Sequence, residues 1–264
     1  MFSAQPLTRA AGSNALNGSW GRPLFFGVMP NASGRYVRFS GMRFANVYVL
    51  LLVLAGLLSC RGRTATSVET PKDTRLAELP KPKPGEAVAT LAAGCFWTIE
   101  RDFKSLRGVR AVVSGYAGGE EPYPTYEQVG TGQTSHAEAV QIYYDPKFIT
   151  YQALLDAFFV SHDASSVNRQ GPDVGPQYRS VLFYRTPAER TAIIAAIQRE
   201  NGSGRYSRPI ATQVLPFRAF YPAEVYHQNY CRLHPDELYV RTVSAPKQAH
   251  FRDRMARWLK PDAE

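Results

Sequence analysis

From residue 86 onward the sequence alternates between strand-like and helix-like segments, and this alternation limits the possible folds more than any other property. Apolar or alternating runs predict strands at 86–92, 109–115, 137–144, 179–184 and 210–215. Helical spacing of apolar residues predicts helices at 96–106, 150–160, 187–200, 222–232 and 247–258. Loops rich in Gly and Pro separate these segments at 116–135 and 163–178. The pattern predicts one α/β or α+β domain of about 180 residues.

The junction between the first predicted strand and the first predicted helix carries a candidate nucleophile. An apolar run at 87–91 is followed by Gly94 and Cys95, where the helical pattern begins. Unpaired N–H groups and the positive end of the helix dipole favour a thiolate at such a position. A buried, unreactive cysteine is the alternative. The glycine before Cys95 and the two aromatic residues after it favour the nucleophile.

The net charge of +9 comes mainly from the N-terminal part of the chain. Residues 1–67 contain seven Arg and neither Asp nor Glu, so they contribute +7. The remaining 24 basic and 22 acidic residues leave only +2 for residues 68–264. A nearly neutral domain gives no electrostatic reason to expect a nucleic-acid partner.

The cysteine count excludes a disulfide framework. Cys60, Cys95 and Cys231 are too few and too widely spaced for one, and no C-x-x-C pair indicates a thioredoxin-type site or a structural zinc. His227, Cys231 and His234 have helical spacing, but no fourth ligand is evident. We therefore expect no metal site.

The first 60 residues have the features of a signal or targeting segment. Residues 1–41 are rich in Ser, Gly, Asn and Arg and show no period, so they predict no regular structure. The apolar run 47–58 is short for a membrane span but has the length of a signal-peptide core. Leu57-Leu58-Ser59-Cys60 resembles a bacterial lipoprotein cleavage site, although Leu58 is larger than usual at its position. Translation would then start at Met42.

This interpretation predicts a lipoprotein of the bacterial periplasm or cell envelope, anchored to the membrane through lipidated Cys60. An organellar transit peptide is the first alternative, because residues 1–67 contain Arg and Ser and no acid. A transmembrane anchor and a cytoplasmic protein are further alternatives. Residues 61–85 contain four Pro and several Lys and predict a solvated linker, so the folded domain would span 86–264.

Six motifs follow one another along this domain. They are Gly94-Cys95-Phe96-Trp97, Gly115-Tyr116-Ala117-Gly118-Gly119, His136-Ala137-Glu138-Ala139-Val140, Asn168-Arg169-Gln170-Gly171-Pro172-Asp173-Val174-Gly175, Gln177-Tyr178-Arg179-Ser180, and Pro222-Ala223-Glu224 with Tyr226-His227-Gln228. In this order they resemble the motifs of the methionine sulfoxide reductase A family, over roughly residues 86–260. The resemblance implies an α+β fold, a two-layer sandwich whose helices pack on a mixed sheet in a ferredoxin-like plait.

The resemblance also implies a reaction, in which a thiolate attacks the sulfur of a sulfoxide while an acid protonates its oxygen. Cys95 is the predicted nucleophile, and Phe96 and Trp97 match the apolar pocket for the methyl group; plain core packing is their alternative. Glu138 is the predicted acid, because it lies on an otherwise apolar strand face where desolvation should raise its pKa. A solvated glutamate on an edge strand is its alternative.

The remaining site residues rest on the resemblance alone. It implies that Tyr116 and Tyr178 hydrogen-bond the sulfoxide oxygen and that Asp173 is an active-site aspartate; a turn-capping role is the alternative for Asp173. Reduction would leave Cys95 as a sulfenic acid. Many family members carry resolving cysteines in a C-terminal tail, but residues 232–264 contain none. Cys231 is the possible resolving residue, provided that its Cα lies within about 7 Å of that of Cys95.

These residues predict a peptide-methionine (S)-S-oxide reductase that repairs oxidised proteins and free methionine sulfoxide. The resemblance implies a monomer without a bound cofactor that is recycled by an external thiol such as thioredoxin. Two other functions stay open at this point. One is a hydrolase or acyltransferase that uses Cys95 with His136 or His162. The other is a module that binds methionine-like ligands through Phe96 and Trp97 without chemistry.

Overall fold

The computed structural model describes residues 72–261. The strands are β1 (Ala87–Ala93), β2 (Val109–Ala117), β3 (Ala137–Tyr144), β4 (Arg169–Gln170), β5 (Asp173–Val174), β6 (Ser180–Tyr184), β7 (Gln213–Pro216) and β8 (Phe220–Pro222). The α-helices are α1 (Phe96–Lys104), α2 (Tyr126–Gly130), α3 (Tyr151–Ser161), α4 (Pro187–Asn201), α5 (Tyr230–Leu233) and α6 (Ala245–Arg254). Short 3₁₀ turns lie at Pro176–Tyr178, Val225–His227 and Ala256–Trp258, and Val240–Ser244 is π-helical.

Six strands form one mixed sheet in the order β7-β6-β1-β3-β2-β8. The four pairings β6-β1, β1-β3, β3-β2 and β2-β8 are antiparallel, and only the pairing of β6 with β7 is parallel among the described strands. Helix α1 connects β1 to β2, and α3 connects β3 to β6. This connection order places β1 between β3 and β6, as in a ferredoxin-like plait. The predicted α+β class and plait are confirmed.

The larger apolar core lies between the sheet and the helices. Side chains from α1, α3 and α6 meet there, and Phe103, Phe158 and Phe251 are each fully buried. Val140 and Ile142 of β3 belong to the same cluster, so the face of β3 that also carries Glu138 points into this core. Alternate residues of the strands form a second, smaller cluster on the other side of the sheet.

Most predicted elements are present within a few residues of their predicted limits. The start of α4 is well specified, because Thr186 Oγ1 accepts a hydrogen bond from the Glu189 N–H over 3.1 Å and Pro187 occupies the first turn. The loop predicted at 116–135 contains the short helix α2, and the loop predicted at 163–178 contains the hairpin of β4 and β5.

The prediction of a continuous helix at 222–232 is wrong. The chain forms instead a 3₁₀ turn at Val225–His227 and the short helix α5, separated by Asn229 in the left-handed region with φ of 58°. The Asn229 N–H donates to both carboxylate oxygens of Glu100 in α1, over 3.1 and 2.9 Å. Hydrogen bonds to a distant element thus replace those of a continuous helix, which overrides the helical spacing of the apolar residues.

Part of the predicted linker is docked on the domain. The Ala77 N–H donates to the Ala223 carbonyl over 3.0 Å, and the Val225 N–H donates to the Arg75 carbonyl over 2.8 Å. The Tyr226 N–H donates to the carbonyl of Asp73 over 3.2 Å. Residues 73–77 therefore hold the segment 223–226, although they contain no regular strand or helix.

The N-terminal predictions concern residues that the structure does not describe. The apolar run 47–58, the cleavage motif with Cys60, and the linker up to residue 71 all lie outside the described range. Within residues 72–261, no helix has both the length and the apolar character needed to cross a bilayer.

Candidate active site

Cys95 lies at the turn between β1 and α1, as its sequence context predicts. It is the N-cap residue of α1, and its side chain makes no capping hydrogen bond. Gly94 before it has a φ of 90°, and a Cβ at this position would lie 2.7 Å from a side-chain carbon of Gln170. A glycine is therefore required for this tight turn. The turn leaves the Cys95 side chain only 7% exposed.

Glu138 takes the capping position that Cys95 leaves free. It lies on β3, and its Oε2 accepts a hydrogen bond from the Phe96 N–H at the start of α1, over 3.0 Å. Its side chain is 2% exposed. The thiol and the carboxyl group are thus brought to the same helix end from positions 43 residues apart in the chain.

These two groups share a small cavity of about 170 Å³. Its lining residues are Cys95, Phe96, Trp97, Tyr126, Glu138, Asp173, Tyr178 and Tyr239. The cavity combines an aromatic wall with one thiol, two carboxyl groups and three tyrosines. It can hold a small, partly apolar group next to the sulfur of Cys95.

The Cys95 thiol is held mainly in its neutral form near neutral pH. Burial raises its pKa well above the ordinary value, and the nearby charges of Glu138 and Asp173 raise it further. Hydrogen bonds from Tyr239 and from the Trp97 backbone N–H act in the opposite direction. The helix end thus favours the thiolate, as predicted from the sequence, but burial and the two carboxyl groups outweigh it.

Glu138 carries a proton near neutral pH. Burial raises its pKa from 4.5 to about 8, with a further contribution from Asp173, although the Phe96 N–H lowers it. The group is therefore an acid that can donate a proton inside the cavity. Protonation of Glu138 also removes one of the charges that oppose a thiolate at Cys95.

Tyr239 connects Asp173 with the thiol. Its hydroxyl donates to Asp173 Oδ2 over 2.7 Å, and it also contacts the Cys95 thiol, whose pKa it lowers. The Asp173 carboxylate is therefore not a simple turn cap; it fixes a tyrosine against the candidate nucleophile.

A model of the family described as peptide methionine sulfoxide reductase matches residues 87–259, which include all eight residues that line the cavity. The chain belongs to the peptide methionine sulfoxide reductase family. It is an oxidoreductase that reduces methionine sulfoxide, which confirms the predicted family and activity.

Individual relatives agree with this assignment. The peptide methionine sulfoxide reductase MsrA of Thermus thermophilus is 51% identical over 176 residues, which are 67% of this chain and 99% of the relative. Among solved structures, the reduced form of Mxr1 from Saccharomyces cerevisiae has a TM-score of 0.55 and 37% identity, over 60% of this chain and 91% of that one. Methionine sulfoxide reductase A of Corynebacterium diphtheriae has a TM-score of 0.53 and 30% identity, over 63% and 83%.

Tyr116 is not part of the reductase cavity, and Tyr126 lies there instead. Tyr116 stands opposite Glu138 in the pairing of β2 with β3, but its fully buried hydroxyl donates to Glu224 Oε2 over 2.9 Å. Tyr126 is the first residue of α2, inside the segment predicted as a loop. The capping box of Thr125, whose side chain accepts from the Gln128 N–H, is the sequence signal that could have located this helix.

Cys231 lies in a different cavity from Cys95. This second cavity of the reductase measures about 510 Å³, and Trp97 lines both cavities. Both cysteines are buried free thiols, and the Cys231 thiol contacts Ser244 and Arg101. The role of Cys231 as a resolving residue stays a prediction.

The two histidines considered for a hydrolase are held by other partners. His136 accepts from the Gly119 N–H over 3.2 Å at Nδ1, and its Nε2 lies 2.8 Å from the carbonyl of Glu121. His162 contacts the Phe158 carbonyl and the Ser180 hydroxyl, each over 2.8 Å. No histidine lines the Cys95 cavity in the described part of the chain, so nothing in this geometry supports a Cys-His pair.

Potential metal ligands are not clustered in residues 72–261. No group of three or more His, Cys, Asp or Glu side chains in this range has an arrangement that could hold a metal ion. His227, Cys231 and His234 do not share one helix face, because the chain breaks at Asn229.

Proposed function

We propose that this reductase acts on the (S)-sulfoxide of methionine, in proteins and as the free amino acid, with Cys95 as the nucleophile and Glu138 as the acid. The observation that carries the proposal is the shared cavity, where a buried thiol lies near a buried carboxyl group that is protonated at neutral pH. The two epimers of methionine sulfoxide are reduced by two different types of reductase. The family resemblance indicates that this reductase acts on the S epimer.

The reaction balances without a cofactor. The Cys95 sulfur attacks the sulfoxide sulfur, and Glu138 protonates the sulfoxide oxygen, which gives an adduct with a new S–S bond. The hydroxyl group then passes to the Cys95 sulfur, while the S–O bond and the S–S bond break and the electron pair of the S–S bond stays on the methionine sulfur. The thiol proton re-protonates the Glu138 carboxylate. The products are methionine and the sulfenic acid of Cys95, so that the thiol is oxidised and the sulfoxide is reduced.

The other cavity residues divide between binding and activation. Phe96 and Trp97 form an apolar wall suited to the methyl group. Tyr126 and Tyr178 can donate hydrogen bonds to the sulfoxide oxygen without adding a charge that would compete with the thiolate. Tyr239 can stabilise the thiolate as it forms, by turning its O–H from Asp173 to the sulfur.

An external thiol such as thioredoxin returns the sulfenic acid to the thiol. A first thiol condenses with the sulfenic acid, releasing water and leaving a mixed disulfide that a second thiol reduces. Cys231 could supply the first thiol only if the wall between the two cavities rearranges, because Trp97 lines both of them. The enzyme is expected to act as a monomer.

Single-turnover reduction of the separated epimers of N-acetylmethionine sulfoxide, without added thiol, tests this proposal. We expect one methionine per enzyme and one sulfenic acid on Cys95 with the S epimer. Equal rates with both epimers, or oxidation at a residue other than Cys95, would refute it.

Two of the three tyrosines that line the cavity, Tyr126 and Tyr178, are expected to share one task. Tyr126→Phe and Tyr178→Phe should each lower the single-turnover rate by about 3- to 10-fold, because one hydroxyl can partly replace the other. The double variant should lose clearly more than the product of the two single effects. Tyr123→Phe is the matched control, because Tyr123 is exposed and does not line the cavity. A larger rate loss for Tyr123→Phe than for Tyr126→Phe would contradict this assignment.

The proposed site of action is the bacterial cell envelope. The motif that ends at Cys60 would direct cleavage and lipidation, which anchors the mature chain to a membrane. Lipidation uses the Cys60 sulfur, so Cys60 could not resolve the sulfenic acid. The recycling thiol would then lie on the non-cytoplasmic side.

Metabolic labelling of the full chain with a fatty-acid analogue in a bacterium tests the lipidation. The wild type and Cys231→Ser should be labelled, and Cys60→Ala should not. Label that persists in Cys60→Ala, or a soluble product that retains residues 42–60, would rule out a lipoprotein. A chain cleaved between residues 30 and 60 inside an organelle would favour the transit peptide.

A further inference from the structure

The larger cavity that contains Cys231 has a positively charged lining, and we call it the positive cavity. Its volume of about 510 Å³ is typical of sites that bind a ligand. Asp236 and Glu237 follow Pro235 in the chain, but neither of them lines the cavity. The charged lining residues are four cations and one carboxyl group, namely Arg101, Lys104, Arg232, Lys260 and Glu100.

The one carboxyl group in this lining already has its partners. Lys104 Nζ donates to Glu100 Oε1 over 2.6 Å, and the Asn229 N–H donates to both oxygens of Glu100. Lys104 and Glu100 therefore compensate each other. The other three cations, Arg101, Arg232 and Lys260, have no ion-pair partner within residues 72–261.

Two of the ammonium groups are held close together. Lys260 Nζ donates to the backbone carbonyl of Lys104 over 2.6 Å. Burial lowers the pKa of Lys260, and the nearby charge of Lys104 lowers it further. Like charges next to each other in a partly buried cavity repel, and a bound anion would relieve this repulsion. The positive cavity is thus prepared for a negatively charged group.

The Trp97 indole separates the positive cavity from the cavity of Cys95. Its side chain lines both cavities and is only partly buried. The Cys95 cavity, with about 170 Å³, has room for little more than the end of one side chain. The residues next to an oxidised methionine in a protein substrate must therefore lie outside it, near the positive cavity.

The geometry of an extended peptide fits two cavities that are separated by one side chain. Alternate side chains point to the same side of such a peptide and are about 7 Å apart. When the sulfoxide side chain enters the Cys95 cavity, a side chain two positions away can reach past the indole. Arginine binds a carboxylate through two parallel hydrogen bonds, so Asp and Glu match this lining best.

We propose that the positive cavity is a substrate subsite of the reductase, which binds the carboxylate of an Asp or Glu two positions from the oxidised methionine. Arg101, Arg232 and Lys260 supply the charges that bind it. This inference rests on the proposed function, which makes the Cys95 cavity the pocket for the sulfoxide. The class of substrate is then an accessible, extended segment with an acidic side chain near its methionine.

Steady-state reduction of alanine-based peptides that contain one methionine (S)-sulfoxide tests the subsite, with dithiothreitol as the reductant. One Glu is placed two positions before, two positions after or one position after the sulfoxide, and each peptide has a Gln counterpart. The ratio of kcat/KM between Glu and Gln peptides should be about 5 to 10 for at least one of the positions two residues away. It should stay near 1 for the adjacent position, whose side chain points to the other side. Salt at about 0.5 M should lower the larger ratio.

Three variants connect this preference to the positive cavity. Arg232 is exposed, so Arg232→Gln should fold, and its ratio should fall towards 1. Lys260→Gln should lower the ratio as well. Arg190→Gln on α4 is the matched control, because it removes the same charge from an exposed position that does not line the cavity. The ratio should stay at the wild-type value in this control.

Reversal of the charge gives a second test. Arg232→Glu should lower the kcat/KM of the Glu peptide further, and it should raise that of a peptide with Lys at the same position. A variant that discriminates neither peptide from its Gln counterpart would contradict a direct contact with Arg232.

The outcomes separate this inference from the proposed function. Equal reduction of Glu and Gln peptides overturns the subsite and leaves the reductase function intact, whereas no reduction of any peptide overturns both. Equal gains at adjacent and alternate positions overturn the subsite, since they indicate only general attraction. A preference that persists in both Arg232→Gln and Lys260→Gln overturns it too. A preference that appears only when the chain ends at Pro261 would show that its own C-terminal acids fill the cavity, which also overturns the proposal.

Discussion

Cys95→Ser is expected to abolish reduction of methionine (S)-sulfoxide. Cys95 supplies the one thiol among the residues that line the cavity in the described chain, and a serine hydroxyl is a far weaker nucleophile towards sulfur. The single-turnover rate should fall by at least about 10³-fold. Quantifying the methionine formed per enzyme in the absence of added thiol measures this loss.

Cys231→Ser is the matched control for this experiment. Cys231 is also a buried thiol, but it lies in the neighbouring cavity, so its loss should leave the first turnover intact. Turnover that stops after the first round in this variant, when thioredoxin is supplied, would identify Cys231 as the resolving residue. Appreciable reduction by Cys95→Ser would contradict the assigned nucleophile.

Glu138→Gln is expected to slow the chemical step by roughly 10²-fold or more, with a much smaller change in substrate binding. The amide can still accept the hydrogen bond of the Phe96 N–H, but it cannot deliver an acidic proton to the sulfoxide oxygen. Single-turnover rates over a range of substrate concentrations separate the two effects. A maximal rate within a few-fold of wild type would assign Glu138 to structure.

The stability of Glu138→Gln should depend less on pH than the stability of the wild type. The folded protein binds the Glu138 proton more tightly than the unfolded chain, since the pKa is raised from 4.5 to about 8. The stability that this group contributes is complete below about pH 4.5 and is lost as the pH rises to about 8. Over this range the free energy of unfolding of the wild type should fall by on the order of 4 kcal/mol because of Glu138.

Denaturant unfolding at pH 5 and pH 9 checks this expectation. The free energy of unfolding of Glu138→Gln, compared with that of the wild type at the same pH, should be higher at pH 9 than at pH 5. A variant that is slow in catalysis yet relatively more stable at high pH would show that its defect is chemical. Equal destabilisation at both pH values would indicate that the carboxyl group is not held protonated in the folded state.

The main parts of the site could be predicted because local patterns encode them. The apolar run before Gly94 and the helical spacing after Cys95 place a thiol at a strand-to-helix turn. The alternation along β3 places Glu138 on the core face of the sheet. Neither pattern shows how near the two groups come, and this proximity together with burial reverses the expected effect on the thiol pKa.

Other parts depend on contacts between distant segments. The sequence alone does not show that the Tyr116 hydroxyl binds Glu224, more than 100 positions away, and therefore stays outside the cavity. Tyr239 is held at the cavity by its hydrogen bond to Asp173. A sequence search for resolving cysteines in the C-terminal tail does not single out this tyrosine. The predicted helix at 222–232 fails for the same reason, because Asn229 pairs with α1 instead.

The docking of residues 73–77 on the segment 223–226 moves the start of the folding unit towards the N-terminus. A chain that begins at residue 86 would keep all residues that line the cavity. It would lose the three backbone hydrogen bonds between residues 73–77 and the segment 223–226. The docking would also shorten the reach of the proposed membrane tether. Between Cys60 and Asp73 only the twelve residues 61–72 remain, and fully extended they span at most about 40 Å. A lipid-anchored enzyme would then search a thin layer next to the membrane for oxidised methionine.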